Sequence, residues 1–334
     1  MKRLCKLKVL LPVALLIMLL LAPQALSKYS VGVLNVGLIF GIAAWSISIM
    51  LGMGGQLVFS TISFMGIGAY TVANLCTGRL GIALPTWSML FIAPFVAGLA
   101  AFFLALILVK MKGTYFTFAS IAVVQVAYTF YNNYKPLFGG PDGISGIPSL
   151  TIFGHKLANY YEWFYFLVVF LIIIGLLIER IRRTQLGRSL ASIRDNETAA
   201  RTLGVNVFRT RVIAYTLTGV LGGLSGALYA MHVRYISADM FNYGNSAQII
   251  IMTMIGGVNS TIGTIVGALS VNILPEIFRS LQKYMQLIWG LSVIILMIFF
   301  PTGLGGLYKK IFAKSRAKKN IVEGENYNEP NSQT

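Results

Sequence analysis

The chain has 334 residues, of which only 11% are charged and 56% are apolar, and its mean hydropathy is +0.75. A soluble domain carries about 25% charged residues, so this composition excludes a water-exposed surface of ordinary size. The net charge of +17 would suit nucleic acid, but the Lys and Arg residues cluster between long uncharged runs and no acid precedes Asp142. That is the loop pattern of a multi-pass membrane protein with its basic loops inside.

A spanning helix needs roughly 20 apolar residues. The uncharged runs predict an all-α transmembrane bundle of about ten spans, near 9–27, 31–50, 57–77, 86–109, 114–134, 161–179, 212–231, 244–258, 261–275 and 284–303. The run 29–78 holds two helices, broken at Gly52, Gly54 and Gly55. The run 240–275 is interrupted by Gly256, Gly257, Asn259, Ser260 and Gly263. It forms either two short spans or a re-entrant pair, which would leave eight spans plus that pair. Residues 1–27 also read as a signal peptide, with a basic start and small residues at Ala25 and Ser27, although the apolar run is long for that role.

The basic clusters set the orientation. Arg3, Lys6 and Lys8, then Lys110 and Lys112, then the eight arginines of 179–211, then Lys309 to Lys319 all belong on the cytoplasmic side. Both termini are therefore expected in the cytoplasm, with 135–160 outside. Tyr131, Tyr134, Tyr160, Tyr161 and Trp163 bracket that outer loop, either as an interfacial belt or as ordinary packing aromatics. Three parts follow: a basic segment and first helix over 1–30, a transmembrane domain over 31–308 with a cytoplasmic loop at 180–211, and a disordered tail over 309–334. Cys5 and Cys76 fall on opposite sides and should not pair.

Chemistry-bearing motifs are scarce. No Gly-Lys pair occurs, so there is no phosphate-binding loop of the Walker type and no route to ATP in this chain. His155 and His232 are far apart, and no metal site is expected. Glu162, Glu179, Asp239 and Glu276 all fall at span ends, whereas proton-coupled carriers place such groups inside the bilayer. Sodium-coupled carriers can manage with unwound backbone instead, so a secondary carrier stays as an alternative, with an uncoupled channel behind it.

The cytoplasmic loop carries helix punctuation. Asp195 or Asn196 can cap a short helix, Glu197 sits in its first turn, and Gly204 ends it. Ala199, Ala200 and Leu203 give it a small apolar face. Two turns are marginal alone in water, so this helix must pack on the chain's own spans or on a partner.

This segment resembles the EAA loop of ATP-binding-cassette transporter permeases, which docks on the ATPase subunit. Ala199, Ala200 and Gly204 match the family spacing, Glu197 is displaced one position by Thr198, and Arg194 belongs to the same segment. Further motifs resemble branched-chain amino acid permeases in family order over about residues 30–305. They include Gly55-Gln56, Phe64 to Tyr70, Gly113 to Phe116, Gly139 to Pro148, Gly187 to Leu190, Ala227 to Tyr229, Tyr235 to Ser237, Ile255 to Gly257, Gly263 to Gly267 and Leu274 to Glu276. Pro141 within the Gly-Gly-Asp-Gly motif and the acidic tail after Lys319 depart from the pattern.

The resemblance implies an importer permease of the second subunit type. Its partners would be a sister permease in a heterodimer, two ATPase subunits and an extracytoplasmic binding protein. It would contact lipid and no nucleic acid, hold no cofactor, and leave ATP to the ATPases. The substrate would be a branched-chain amino acid, with urea or other amides as the alternative. Arg194, Glu197, Ala199, Ala200 and Gly204 would dock the ATPase. Gln56, Ser60, Ser63, Gly66 and Gly68 would line the path, although small residues also serve plain helix packing. Asp142 and Gly143, in a loop ordered by glycine and proline, would meet the binding protein.

Overall fold

The computed structural model describes residues 27–277, apart from 82, 83, 112 and 153. The expected spans at 9–27 and 284–303, the basic start and the tail 309–334 lie outside the described residues. Helix dominates. Ser27 caps α1 (Lys28–Ile47) by accepting from the Ser30 amide, and α1 widens into a π-helical turn, Ser48–Met53. Then follow α2 (Thr61–Cys76), α3 (Met89–Leu108), α4 (Thr114–Asn133) and the short α5 (Lys135–Phe138). After the 134–159 loop come α6 (Tyr160–Arg183), α7 (Gln185–Asp195), α8 (Glu197–Thr202) and α9 (Val207–Val233). The last described elements are α10 (Tyr243–Gly256) and α11 (Thr261–Ile277).

Among the described residues, four helical stretches are long and apolar enough to cross a membrane: Lys28–Met53, Thr86–Leu108, Tyr160–Arg183 and Val207–Val233. The expected span at 57–77 has a different form. Only 61–76 is helical, and those 16 residues rise about 24 Å, short of the hydrocarbon core. The stretch Gly54–Ser60 leads into α2 without helical structure. The glycines that break the run at 52–55 account for this: Gly55 adopts φ +69°, which closes the π turn and which a side chain would strain.

The region 240–275 is a helical hairpin. α10 and α11 turn back at Gly257–Ser260, and Gly256 and Gly263 bring their backbones into contact.

α9 is the centre of the bundle and packs along α1, α2 and α3. A Cβ on Gly222 would stand 3.1 Å from the Thr61 carbonyl oxygen, and one on Gly223 would stand 3.0 Å from that of Ala93. Gly226 lies against the Met65 carbonyl. Small residues permit this approach, and packing of this kind is what holds helices together in lipid. Polar side chains tie α1 to its other neighbours: Asn35 Nδ2 donates to the Tyr160 carbonyl at 2.9 Å and Trp45 Nε1 to the Thr261 carbonyl at 2.8 Å.

Two short antiparallel pairs order the loops at the end of the bundle where α4 finishes and α6 starts. β1 (Ile144–Ser145) pairs with β4 (Tyr235–Ile236), and β2 (Thr151–Ile152) pairs with β3 (His155–Lys156).

Candidate functional site

The segment 184–211 lies at the opposite end, where α1 finishes and α9 begins. Asn196, one of the two caps expected, fills that role: its side chain accepts from the Ala199 amide at 3.0 Å. Gly204 ends the segment at φ +83°, donating its amide to the Arg201 carbonyl. The apolar face divides differently from the sequence expectation. Ala200 is buried within the chain, packed with Ile193, Val205 and Val207. Ala199 is exposed, and Leu203 is 81% exposed. Neighbouring positions on a helix differ by about 100°, so α8 splits its small residues between its own chain and the outside.

Two charged side chains fasten this segment to the bundle. Arg194 Nη1 donates to the Gly52 carbonyl at 2.7 Å, and its stem lies against Gly55. Glu197 accepts from Arg201 Nη2 at 2.7 Å and from Arg211 Nη2 at 2.8 Å. Partial burial raises the Glu197 carboxyl, but the hydrogen bonds from Arg201 and Arg211 outweigh it, so the group is held below the usual carboxylate range. α7–α8 therefore grips the π turn of α1 and the first turn of the central helix α9. Nearby, Arg182 Nη1 donates to the Asn259 carbonyl at 2.7 Å, which ties α6 to the α10–α11 turn.

Directly beyond Gly55 runs the non-helical entry of α2. Irregular backbone at membrane depth has to find its partners inside the protein. It does so here: the Gln56 amide donates to Met50 O, the Phe59 amide to Ser120 Oγ, and Ser246 Oγ donates to Phe59 O at 2.6 Å. Ser60 Oγ is 2.6 Å from the Tyr215 hydroxyl of α9. Gln56 is buried, yet neither atom of its side-chain amide has a partner among the described residues, and the same holds for Ser63 Oγ. Gly66 lies under the Tyr131 ring, whose hydroxyl donates to the Ser63 carbonyl at 2.7 Å. Gly68 meets the Gly223 backbone. The five residues thus share one helix and its entry, with Gln56 next to Arg194's segment and Gly66 and Gly68 at helix contacts.

At the far end, Gly143 at φ +69° lies against the Ile236 carbonyl, and the Tyr235 hydroxyl donates to the Asp142 carbonyl at 3.2 Å. The Asp142 side chain is exposed on a loop held by β1–β4 and by Trp163 Nε1, which donates to the Leu157 carbonyl at 3.0 Å. Among the described residues no three of His, Cys, Asp and Glu converge as metal ligands.

Arg211, Tyr215, Ser120 and Ser246 went unremarked as site residues in the sequence. Arg211 had one signal: a charge opening a long uncharged run, within reach of the two acids of the preceding loop, Asp195 and Glu197.

Comparison with known proteins adds the family. The model described as branched-chain amino acid transport system, permease component, matches residues 29–301. The high-affinity branched-chain amino acid transport system permease protein LivM of Escherichia coli is 29% identical over 87% of this chain and 73% of its own length. A probable branched-chain amino acid transport permease protein LivM of Methanocaldococcus jannaschii is 24% identical over 88% of this chain and 87% of its own. The autoinducer 2 import system permease protein LsrC of an Enterobacter species is 29% identical over 70% of this chain and 67% of its own. No solved structure matches. The apolar helices make the chain a membrane protein, its relatives are transport components rather than enzymes, and the chain belongs to the family of branched-chain amino acid transport system permease components.

Proposed function

We propose that this chain is one permease of an ATP-driven importer and carries a branched-chain amino acid through the inner membrane of a bacterium. The family match over 29–301 carries the reading. The partners are a sister permease, two ATPase subunits, one of which bears on the face of α8 formed by Ala199 and Leu203, and a binding protein meeting the loop around Asp142 and Gly143. In this reading the chain crosses about ten times, counting the spans at 9–27 and 284–303, with both termini in the cytoplasm.

The physical sequence starts at α8. An ATPase that shifts α8 pulls on Arg211 at the foot of α9 and on Gly52 at the break between α1 and α2. Movement there reorients the entry Gly54–Ser60, where Gln56, Ser60 and Ser63 offer uncharged polar groups. A zwitterion needs both charged ends solvated on its way, and neutral groups do that weakly enough to let it leave.

Reconstitution tests the reading. The permease is placed in liposomes, and the sister subunit, ATPases and binding protein are added in turn. Leucine uptake should need the full set and ATP. Uptake by this chain alone on a proton or sodium gradient would establish a secondary carrier, and uptake of urea in place of leucine would reassign the substrate. Orientation has its own check on a background lacking Cys5 and Cys76. Lys156→Cys should react with an impermeant thiol reagent in intact cells, while Thr198→Cys should react only after permeabilisation.

A further inference from the structure

The exposed faces of the long helices are of two kinds. On α3 the outward residues include Phe91, Phe95, Leu99 and Phe103, and the helix has no polar side chain. On α6 they include Ile172 and Leu176, and nothing ionic stands between Glu162 and Glu179. Those faces match hydrocarbon. α4 differs. Its inward polar residues are satisfied: Ser120 Oγ accepts from the Phe59 amide, and Thr117 Oγ1 donates to the Leu57 carbonyl. Outward, Gln125, Thr129 and Asn133 form one stripe at i, i+4 and i+8, all exposed. Gln125 sits near the middle of the helix, where an amide facing lipid tails would go unsolvated. The stripe edges an open groove of about 500 Å³, lined by Gln125, Val126, Thr129, Phe130, Asn133 and Tyr134.

We infer that the outer face of α4 is this chain's wall of the aqueous solute path, and that its groove holds the amino acid in transit. This rests on reading the chain as one permease of a pair, with a second permease forming the opposite wall. The chemistry fits that cargo. Two amides and a hydroxyl can exchange hydrogen bonds with a carboxylate and an ammonium, while Val126, Phe130 and the Tyr134 ring meet an aliphatic side chain. The groove's lining carries no charge to trap a zwitterion. The assignment adds the α4 face to the path beside the α2 entry residues, which are buried in this conformation and packed against α4 through Phe59–Ser120 and Ser63–Tyr131.

The test uses the assembled transporter with Cys5 and Cys76 replaced by Ser. Single cysteines are introduced as Gln125→Cys, Thr129→Cys, Phe95→Cys, Ile172→Cys and Leu176→Cys. A charged, water-soluble methanethiosulfonate should modify positions 125 and 129 and block uptake, while 95, 172 and 176 should react only with a membrane-soluble maleimide. Gln125→Leu should lower uptake about fivefold, the effect of one lost neutral hydrogen bond, with ATPase assembly intact. Failure of the aqueous reagent to reach 125 and 129, in the resting or the ATP-bound state, would overturn the inference, because lipid or a dry protein contact would then cover α4. Reaction at both positions without protection by leucine would uphold the aqueous wall and overturn leucine as the cargo.

Discussion

The guanidinium of Arg194 donates to the carbonyl oxygen of Gly52 at 2.7 Å, joining the α7–α8 segment to the break between α1 and α2. That bond spans 142 positions of sequence and puts the segment proposed to meet the ATPase one step from the non-helical entry of α2. Arg194→Met keeps the stem packed on Gly55 but removes the donor. Charge-assisted bonds contribute more than neutral ones, though Arg194 is 35% exposed and part of that gain is screened. We expect uptake to fall about fivefold while the ATPase still co-purifies and still hydrolyses ATP. Full uptake in the Met variant would remove this bond from the coupling route.

Glu197 gives a pH expectation whose sign follows from its lowered carboxyl. A group with a folded-state pKa below its unfolded value stabilises fully above the ordinary carboxylate range, near pH 4, and that contribution disappears as pH falls through the lowered value. Hydrogen-exchange protection of residues 196–203, corrected for intrinsic rates, should therefore stay level between about pH 8 and pH 5. Glu197→Gln should lose protection at neutral pH, because it breaks both arginine pairs at once. A drop in wild-type protection between pH 8 and pH 6 would mean that some other group controls the segment.

The helix positions were legible in the sequence because uncharged runs and glycine breaks mark where apolar helices start and stop. The ends at 108, 133, 233 and 256 each fall within two residues of those expected. What periodicity could not show was the non-helical start of α2, since Gln56 to Ser60 is apolar enough to pass for helix. The split face of α8 was hidden for another reason. Ala199 and Ala200 look alike in composition, and only the position of Ile193 and Val207 decides which of them turns inward. The polar stripe on α4 was present in the letters, but choosing the outward side of a helix needs to know what fills the other side.

That split makes a pair of substitutions informative. Leu203 is 81% exposed with no packing of its own to lose, so Leu203→Asp should leave the melting temperature unchanged, as surface substitutions usually do within about 0.5 kcal/mol. It should still release the ATPase, because it puts a charge on the proposed docking face. Ala200→Leu acts from inside: overpacking a buried site costs about 1–3 kcal/mol and should loosen 193–207 in hydrogen exchange. Both variants lose ATPase in a pull-down, and only the second loses protection. Retention of the ATPase by Leu203→Asp would show that another face docks it.

Gln56 sits at the junction of these elements, buried, with both side-chain amide atoms unpartnered among the described residues. Leaving such a group without a hydrogen bond costs about 1–3 kcal/mol, and a protein retains it where another state uses it. Its neighbours suggest when that happens. The π turn before it and Gly55 beside Arg194 are the parts that move if α8 moves, and a small rotation there would turn the amide toward the solute. Gln56→Leu separates the two roles. If the amide only waits in this conformation, the apolar isostere removes an unsatisfied group and should raise the melting temperature of the assembled transporter by a few degrees. Uptake should fall about tenfold, since the state that uses the amide loses its bond to a charged end of the cargo. A stabilised variant with normal uptake would make Gln56 a dispensable polar residue. A destabilised one would mean that the amide is already bonded in the resting transporter, to water or to the sister subunit.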